Sequence, residues 1–469
     1  MIRSLLGGMM LTNVALTALA SAAGTKAEAL YQANCASCHG AKLEGGSGSS
    51  LIDDVWKHGS SDEELTASIA KGHPTMGMPG FEKTLQPDQI RALIILMREK
   101  QENARSSAAT PAKPLPDKPF ATKKHTYQLE TVAKGFDSPW GLAFLPDGKM
   151  LVTEKAGALQ LVSANGKLEE VRGIPKVMNH GQGGLLAVAV HPDYTKNGWI
   201  YLGFADGTED GGNVKATTAI VRGKIKDGEW VDQEWIYRSD KKFYTGSGVH
   251  FGTRIVFHSG YIYFIVGERG GNMEAQDLKR PNGKIFRLFE DGRVPTDNPF
   301  VATEGAEPGI WSYGHRNPQG MTLDPRDGSL YDTEHGPRGG DEFNRVVKGG
   351  NYGWPVVTYG MNYDGTPITA VTEKEGITAP VKHWTPSIAA SGLMIYLDDK
   401  FPQWKGDFFA GSLKAQELHR LRLENGKVTE DEIVLQGVGR IRSVEQGPDG
   451  AIYLLLNQPD TLVRMVPAP

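Results

Sequence analysis

From about residue 125 onward one degenerate unit recurs. It is an apolar strand, a turn rich in Pro, Asp and Gly, then a second strand of β-branched and aromatic residues. Copies run at Trp140-Gly-Leu-Ala-Phe-Leu-Pro-Asp-Gly, Leu185 to Tyr194, Arg254 to Ile265, Met321 to Tyr331, Leu393 to Ala410 and Arg442 to Leu456. Six copies predict six four-stranded blades. Blades set radially protect their strand edges without disulfides, so residues 125–469 are expected to form an all-β six-bladed propeller. A pair of β-sandwiches is the alternative, and it leaves the repetition without a cause. The last strand, Thr461 to Val466, is expected to pair with strands near the start of this region and close the ring.

Residues 24–104 read differently: small, helical, and carrying the chain's two cysteines in Cys35-Ala-Ser-Cys38-His39. C-x-x-C-H is the attachment motif of a c-type haem. Cys35 and Cys38 would add across the haem vinyl groups, giving covalent haem c, and His39 would ligate the iron. A structural zinc site needs further soft ligands, which no other cysteine supplies. A thiol redox pair has no need of the adjacent histidine. Ser61 to Glu64 spells a capping box, with Leu65 and Ile69 on one face and Gly72 as the stop. A second helix opens at Pro87 and places Ile90, Leu93, Ile94 and Met97 at helical spacing. Between them lies Gly77-Met78-Pro79-Gly80-Phe81. This order, haem motif, Met-Pro loop and closing helix, resembles small class I cytochromes c. The resemblance implies Met78 as second axial ligand, with Met76 the competitor two residues away.

Arg3, the mostly apolar run Leu5 to Ala20 and the small residues Ala20-Ser21-Ala22 read as an export signal over residues 1–23. The run is short for a membrane span, and nothing downstream reaches that length, so the mature chain is expected to be periplasmic without a span. Residues 105–124, rich in Ala, Pro, Lys and Thr, read as a semi-rigid extended linker. With 51 basic against 55 acidic residues and no basic block, nucleic acid is not an expected partner.

Four segments of the repeat region concentrate polar residues at turns. They are Gly181-Gln182-Gly183-Gly184, Val249-His250-Phe251-Gly252-Thr253-Arg254, Gly314-His315-Arg316-Asn317-Pro318-Gln319-Gly320, and Glu334-His335-Gly336-Pro337-Arg338-Gly339-Gly340-Asp341-Glu342. Lys414, Arg440 and Arg442 follow. Loops of several blades can converge at a channel mouth. Arg440 and Arg442, two apart on a strand, face one side and call for an anion.

With Trp311-Ser-Tyr-Gly-His-Arg-Asn-Pro-Gln-Gly and Gly350-Asn-Tyr-Gly-Trp-Pro355, these segments resemble the soluble quinoprotein aldose sugar and glucose dehydrogenases. Those enzymes bind pyrroloquinoline quinone (PQQ) in a six-bladed propeller. The resemblance covers almost all of residues 125–469. It implies His250 as the general base that takes the hydroxyl proton while hydride leaves to the quinone C5, and Glu268 as the carboxylate orienting it. It implies Arg316 facing the quinone oxygens where negative charge develops. Gln182, Arg254 and Asn317 match residues lining the cofactor pocket. Lys414, Arg440 and Arg442 match the cations that meet the three PQQ carboxylates. Gly336 and Pro337 match backbone-carbonyl ligands of Ca2+. Asp341 and Glu342 are expected to support that loop without ligating. Val249 stands where some relatives carry an acidic residue.

Together the two regions imply a periplasmic dehydrogenase. It would oxidise the C1 hydroxyl of an aldose sugar to a lactone and pass electrons from reduced PQQ to the fused haem. An external acceptor such as a soluble cytochrome would take them next. Sorbosone, a pyranose or another alcohol is an alternative substrate. A non-catalytic sugar- or protein-binding propeller carrying a cytochrome is the alternative of another class.

Overall fold

The computed structural model describes residues 26–53, 55–105, 115 and 118–468. The expected export signal at residues 1–23 lies outside the described residues, as does most of the Ala/Pro-rich stretch.

The N-terminal region is a small all-α unit. Helices α1 (Lys26–Asn34), α2 (Ala36–His39) and α3 (Asp62–Lys71) precede a short 3-10 turn at Pro74–Met76 and the long α4 (Pro87–Arg105). The local rules hold: the Ser61 side chain accepts from the Glu64 backbone while Glu64 caps back, and Gly72 ends α3 at φ +69°. Leu65, Ile90, Leu93, Ile94 and Met97 are buried in one cluster with Tyr31 and Leu43. Arg91 and Arg98 both reach Asp62, which ties α3 to α4.

The remainder is a six-bladed propeller, as the repetition predicts. Five blades are four-stranded sheets in chain order, and the sixth closes the ring. In that blade Thr126–Lys134 pairs antiparallel with Thr461–Pro467, from Tyr127 opposite Pro467 to Lys134 opposite Thr461. An earlier two-residue strand, Phe120–Ala121, adds to its edge opposite Tyr127 and Thr126. Leu115 and Phe120 pack on the core shared by this blade and the fifth, which includes Trp404 and Phe409. The innermost strands form the channel wall in the order 139–144, 185–190, 255–258, 318–324, 390–395 and 440–446. Side-chain hydroxyls bridge neighbouring blades: Thr333 donates to the Ser391 carbonyl at 2.6 Å, Thr153 to that of Leu186, and Ser391 to that of Ile441. Such bonds satisfy carbonyls that would otherwise be buried unpaired between sheets.

Candidate functional site

Every propeller residue singled out by the sequence lies at one end of its blade. In each blade the innermost strand begins where the second strand ends, as Pro318 opposite Glu334 and Ala390 opposite Ser412 show. Gln182, His250, Arg254, Arg316 and Asn317 precede innermost strands, or second strands are followed by Glu268, Gly336, Pro337 and Lys414. Arg440 and Arg442 open the innermost strand of the sixth blade. One rim of the channel therefore collects loops from five blades.

The His250 Nδ1 is hydrogen-bonded to Glu268 Oε1, and the Glu268 carboxylate is fully buried. Its other oxygen accepts from the Asn272 backbone at 2.7 Å, and the His250 N–H donates to Gln182 Oε1 at 2.8 Å. Gly267 has to be glycine, since a Cβ would stand 2.1 Å from the His250 carbonyl. Burial holds the His250 imidazole below its ordinary pKa, and Arg316 and Arg269 push the same way against Glu268. Burial would raise the Glu268 carboxyl, but the hydrogen bond from His250, with that from the Asn272 N–H and the charge of Arg316, brings it below the usual value. The pair therefore consists of a carboxylate and a neutral imidazole whose shared proton sits on Nδ1. The Nε2 lone pair is left as a proton acceptor.

Arg316 is 5% exposed, and its Nη1 donates to the carbonyls of His335 and Gly336, both at 3.0 Å. Glu334 positions its backbone, accepting from the Arg316 N–H at 2.7 Å. Arg442 donates to Asn457 Oδ1 and Gln319 Oε1 at 3.3 and 3.1 Å. Among the described residues no carboxylate pairs with Arg316, Arg440 or Arg442. Burial, then repulsion from Arg440 and Arg254, brings Arg442 down to about 9. A desolvated guanidinium pair without a counter-anion is costly unless a ligand supplies one. Arg254 is satisfied in the wall, donating to the Gln319 and Arg442 carbonyls at 2.8 and 2.9 Å and lying 4.4 Å from the Trp140 ring centre. Asn317 is also a latch, its Oδ1 accepting from the Gly252 N–H at 3.2 Å. Lys414 is exposed on the neighbouring blade.

The Gly336-Pro337 turn is held from beneath: Asp341 accepts from the Gly336 N–H at 3.0 Å and from that of Ala390 at 2.8 Å. The Gly336 carbonyl accepts from Arg316 alone, and among the described residues no donor reaches that of Pro337. Both are hard oxygen donors of the kind Ca2+ takes, although they make only two of its usual six to eight or so ligands. Among the described residues no three His, Cys, Asp or Glu side chains gather to hold a metal ion.

In the helical unit, Cys35, Cys38, His39, Met76 and Met78 line a single cavity of about 400 Å³, with Leu93 and Met97 of α4 on its far wall. Both cysteines are free thiols. His39 Nδ1 bonds the Ser49 carbonyl at 2.7 Å, leaving Nε2 for a metal, the usual orientation of a ligating histidine. Gly48 lies against this ring, where a Cβ would be 2.9 Å from Cε1. Met78 is half-buried in the cavity wall, whereas Met76 is 61% exposed.

Comparison with known proteins fits this arrangement. Residues 136–464 match the family model described as Glucose / Sorbosone dehydrogenase. The chain belongs to the glucose/sorbosone dehydrogenase family. It is an oxidoreductase family member with a second module, since residues 22–97 match the model described as Cytochrome C oxidase, cbb3-type, subunit III. A glucose/sorbosone dehydrogenase relative, the aldose sugar dehydrogenase of Escherichia coli (strain K12), is 42% identical over 341 residues, covering 71% of this chain and 91% of its own. The soluble aldose sugar dehydrogenase from Escherichia coli in the apo-form superposes with a TM-score of 0.69 at 41% identity, covering 73% of this chain and 100% of that one. The PQQ-bound form of an aldose sugar dehydrogenase from Streptomyces coelicolor gives 0.60 at 28% identity, covering 75% and 99%.

Several residues of this glucose/sorbosone dehydrogenase site escaped the sequence reading. Arg269 fixes the loop before His250 through the carbonyls of Val249, Ser247 and Ala216. Gln319 joins Asn317, Arg254 and Arg442. His335, whose Nε2 is buried without a partner, is held well below its usual pKa by burial, then by Arg442, Arg316, His250 and Arg440. Gln319 and His335 sit inside the quoted motifs, so the signal was present, but the contacts of Gln319 cross blades.

Proposed function

We propose that this chain is a periplasmic, PQQ- and calcium-dependent aldose sugar dehydrogenase that delivers its electrons to its own covalently attached haem c. The observation that carries the reading is the His250–Glu268 hydrogen bond to a buried carboxylate, on the same rim as Arg316, Arg440 and Arg442, which meet no carboxylate among the described residues. His250 Nε2 takes the proton of the sugar C1 hydroxyl as the C1–H bond breaks, and Glu268 steadies the imidazolium that forms. PQQ, when bound, supplies the acceptor for the hydride. Arg316 is a fixed cation where negative charge grows, a role commonly worth about 10²–10³ in kcat. Arg440 and Arg442, with Lys414, would hold the cofactor carboxylates, and Gln182, Arg254 and Asn317 would keep the pocket in shape. Gly336 and Pro337 would offer carbonyls to Ca2+.

Oxidation of the sugar to a lactone releases two electrons and two protons. Cys35, Cys38, His39 and Met78 would hold a haem, which would supply one-electron chemistry toward an external acceptor such as a soluble cytochrome. Residues 1–23 would direct export and be removed, residues 24–104 would form the cytochrome unit, and residues 105–124 would connect it to the propeller at 125–469.

PQQ binding to the calcium-loaded protein tests the site directly. Wild-type protein is expected to take up one PQQ per chain by equilibrium dialysis. Arg442→Ala should weaken binding at least tenfold, and unchanged affinity in that variant would remove the cation clamp from the account.

A further inference from the structure

The cytochrome unit does not merely hang from a tether. Arg91, Ile95 and Glu99 are spaced four apart, so they share one face of α4. All three are buried, two of them charged. That face meets the fourth blade. Arg338 donates to Glu99 at 2.8 Å, and Arg91 donates to the Tyr359 carbonyl at 3.0 Å. Met361, from the insertion between strands Asp341–Val346 and Lys382–Trp384, is 1% exposed and belongs to the cytochrome's own apolar cluster. Arg338 and Met361 exchange backbone hydrogen bonds of 3.0 and 3.1 Å, so the two contact segments form one unit.

Both ends of this interface matter. Arg338 lies two residues after Gly336, whose carbonyl accepts from Arg316. On the other side, Leu93 and Met97 line the haem cavity from the face of α4 opposite Ile95. The site loop and the haem cavity are thus separated by a single helix, about 10–12 Å across.

We propose that the face of α4 bearing Arg91, Ile95 and Glu99 is a docking surface for the propeller's own site rim, clamped by the Glu99–Arg338 ion pair. In this arrangement electrons cross one helix to reach the haem. The clamp sets that rate by holding the two units in one geometry. The idea rests on the proposed electron path, yet the docking can be tested apart from it. No net chemistry is added: each electron leaves the propeller's site and reduces one ferric haem, which the external acceptor reoxidises.

The experiment uses the full chain loaded with haem, PQQ and Ca2+. Glu99→Arg places two cations at the clamp, Glu99→Gln removes the pair without reversal, and the exchanged double variant Glu99→Arg/Arg338→Glu restores it. Stopped-flow haem reduction after glucose addition should slow at least tenfold in Glu99→Arg, less in Glu99→Gln, and recover in the double variant. Reduction of the soluble dye dichlorophenolindophenol by Glu99→Arg should stay at the wild-type rate. Small-angle scattering should show a compact wild type and a larger radius of gyration for Glu99→Arg. An extended wild type, or haem reduction equally fast in Glu99→Arg, would overturn the docking. Dye reduction without haem reduction in a compact wild type would instead overturn the electron path and leave the docking standing.

Discussion

At His250 the protonation state follows from the surroundings. A buried imidazole flanked by Arg316 and Arg269 resists a second proton, and the Glu268 carboxylate only partly offsets that. For kcat/KM on an aldose, the account predicts a plateau at neutral pH and an acid limb whose midpoint lies below the ordinary histidine value of about 6.5. His250→Ala should lower turnover by about 10²–10⁴ while PQQ binding persists. Glu268→Gln removes the group that raises the His250 pKa, so its acid limb should move to still lower pH as kcat falls. An acid limb that moved upward would contradict the assigned pair. His250 was legible in the sequence as part of a polar turn, whereas its pairing with Glu268 followed only from the resemblance to the quinoprotein dehydrogenases. Arg269, Gln319 and His335 were not legible: Arg269 and Gln319 act through contacts across blades, and His335 is notable only as a buried imidazole whose Nε2 meets no partner among the described residues. Lys414, expected as a third member of the cation group, lies exposed on the loop after the second strand of the fifth blade.

At the scale of elements, strand alternation and turn residues disclosed the blades, and the closing pairing of Thr461–Pro467 with the first long strand was expected. The edge strand Phe120–Ala121 was not, since Pro-rich composition reads as linker while a free blade edge still offers backbone partners. In the insertion after Val346 the motif at Gly350–Pro355 was legible, but the packing of Met361 into the cytochrome's apolar cluster was not. Within the fifth blade, His419 bonds Asp431 at 2.7 Å and Glu417 at 3.1 Å. Burial alone would lower its pKa, but these two carboxylates bring it up to about 9. Its folded pKa thus exceeds the unfolded value near 6.5, so its contribution is complete below that pH and is lost as pH rises through about 9. The amount is on the order of 3 kcal/mol. Urea unfolding should show this decline between about pH 7 and 10 in the wild type, and His419→Gln should flatten it. In the Met-Pro loop, Met78→Ala should change the haem spectrum and lower the potential, whereas Met76→Ala should leave both alone. The reverse result would make Met76 the ligand.

At the scale of the whole molecule, two modules of different class were legible from one five-residue motif and one repeat. Their contact was not. A sequence shows that α4 carries Arg91 and Glu99 on an otherwise apolar stretch, but not which partners those charges find. In the folded chain they find the rim of the propeller, which brings the cytochrome unit to the mouth of the propeller's candidate site. The most direct test of that union follows the haem absorbance of the full chain, first freed of PQQ and Ca2+ and then reconstituted, as an aldose is added. The account predicts that the haem is reduced by sugar only when both PQQ and Ca2+ have been restored. Sugar-driven haem reduction that persists without PQQ, or a haem that stays oxidised after full reconstitution, would contradict it.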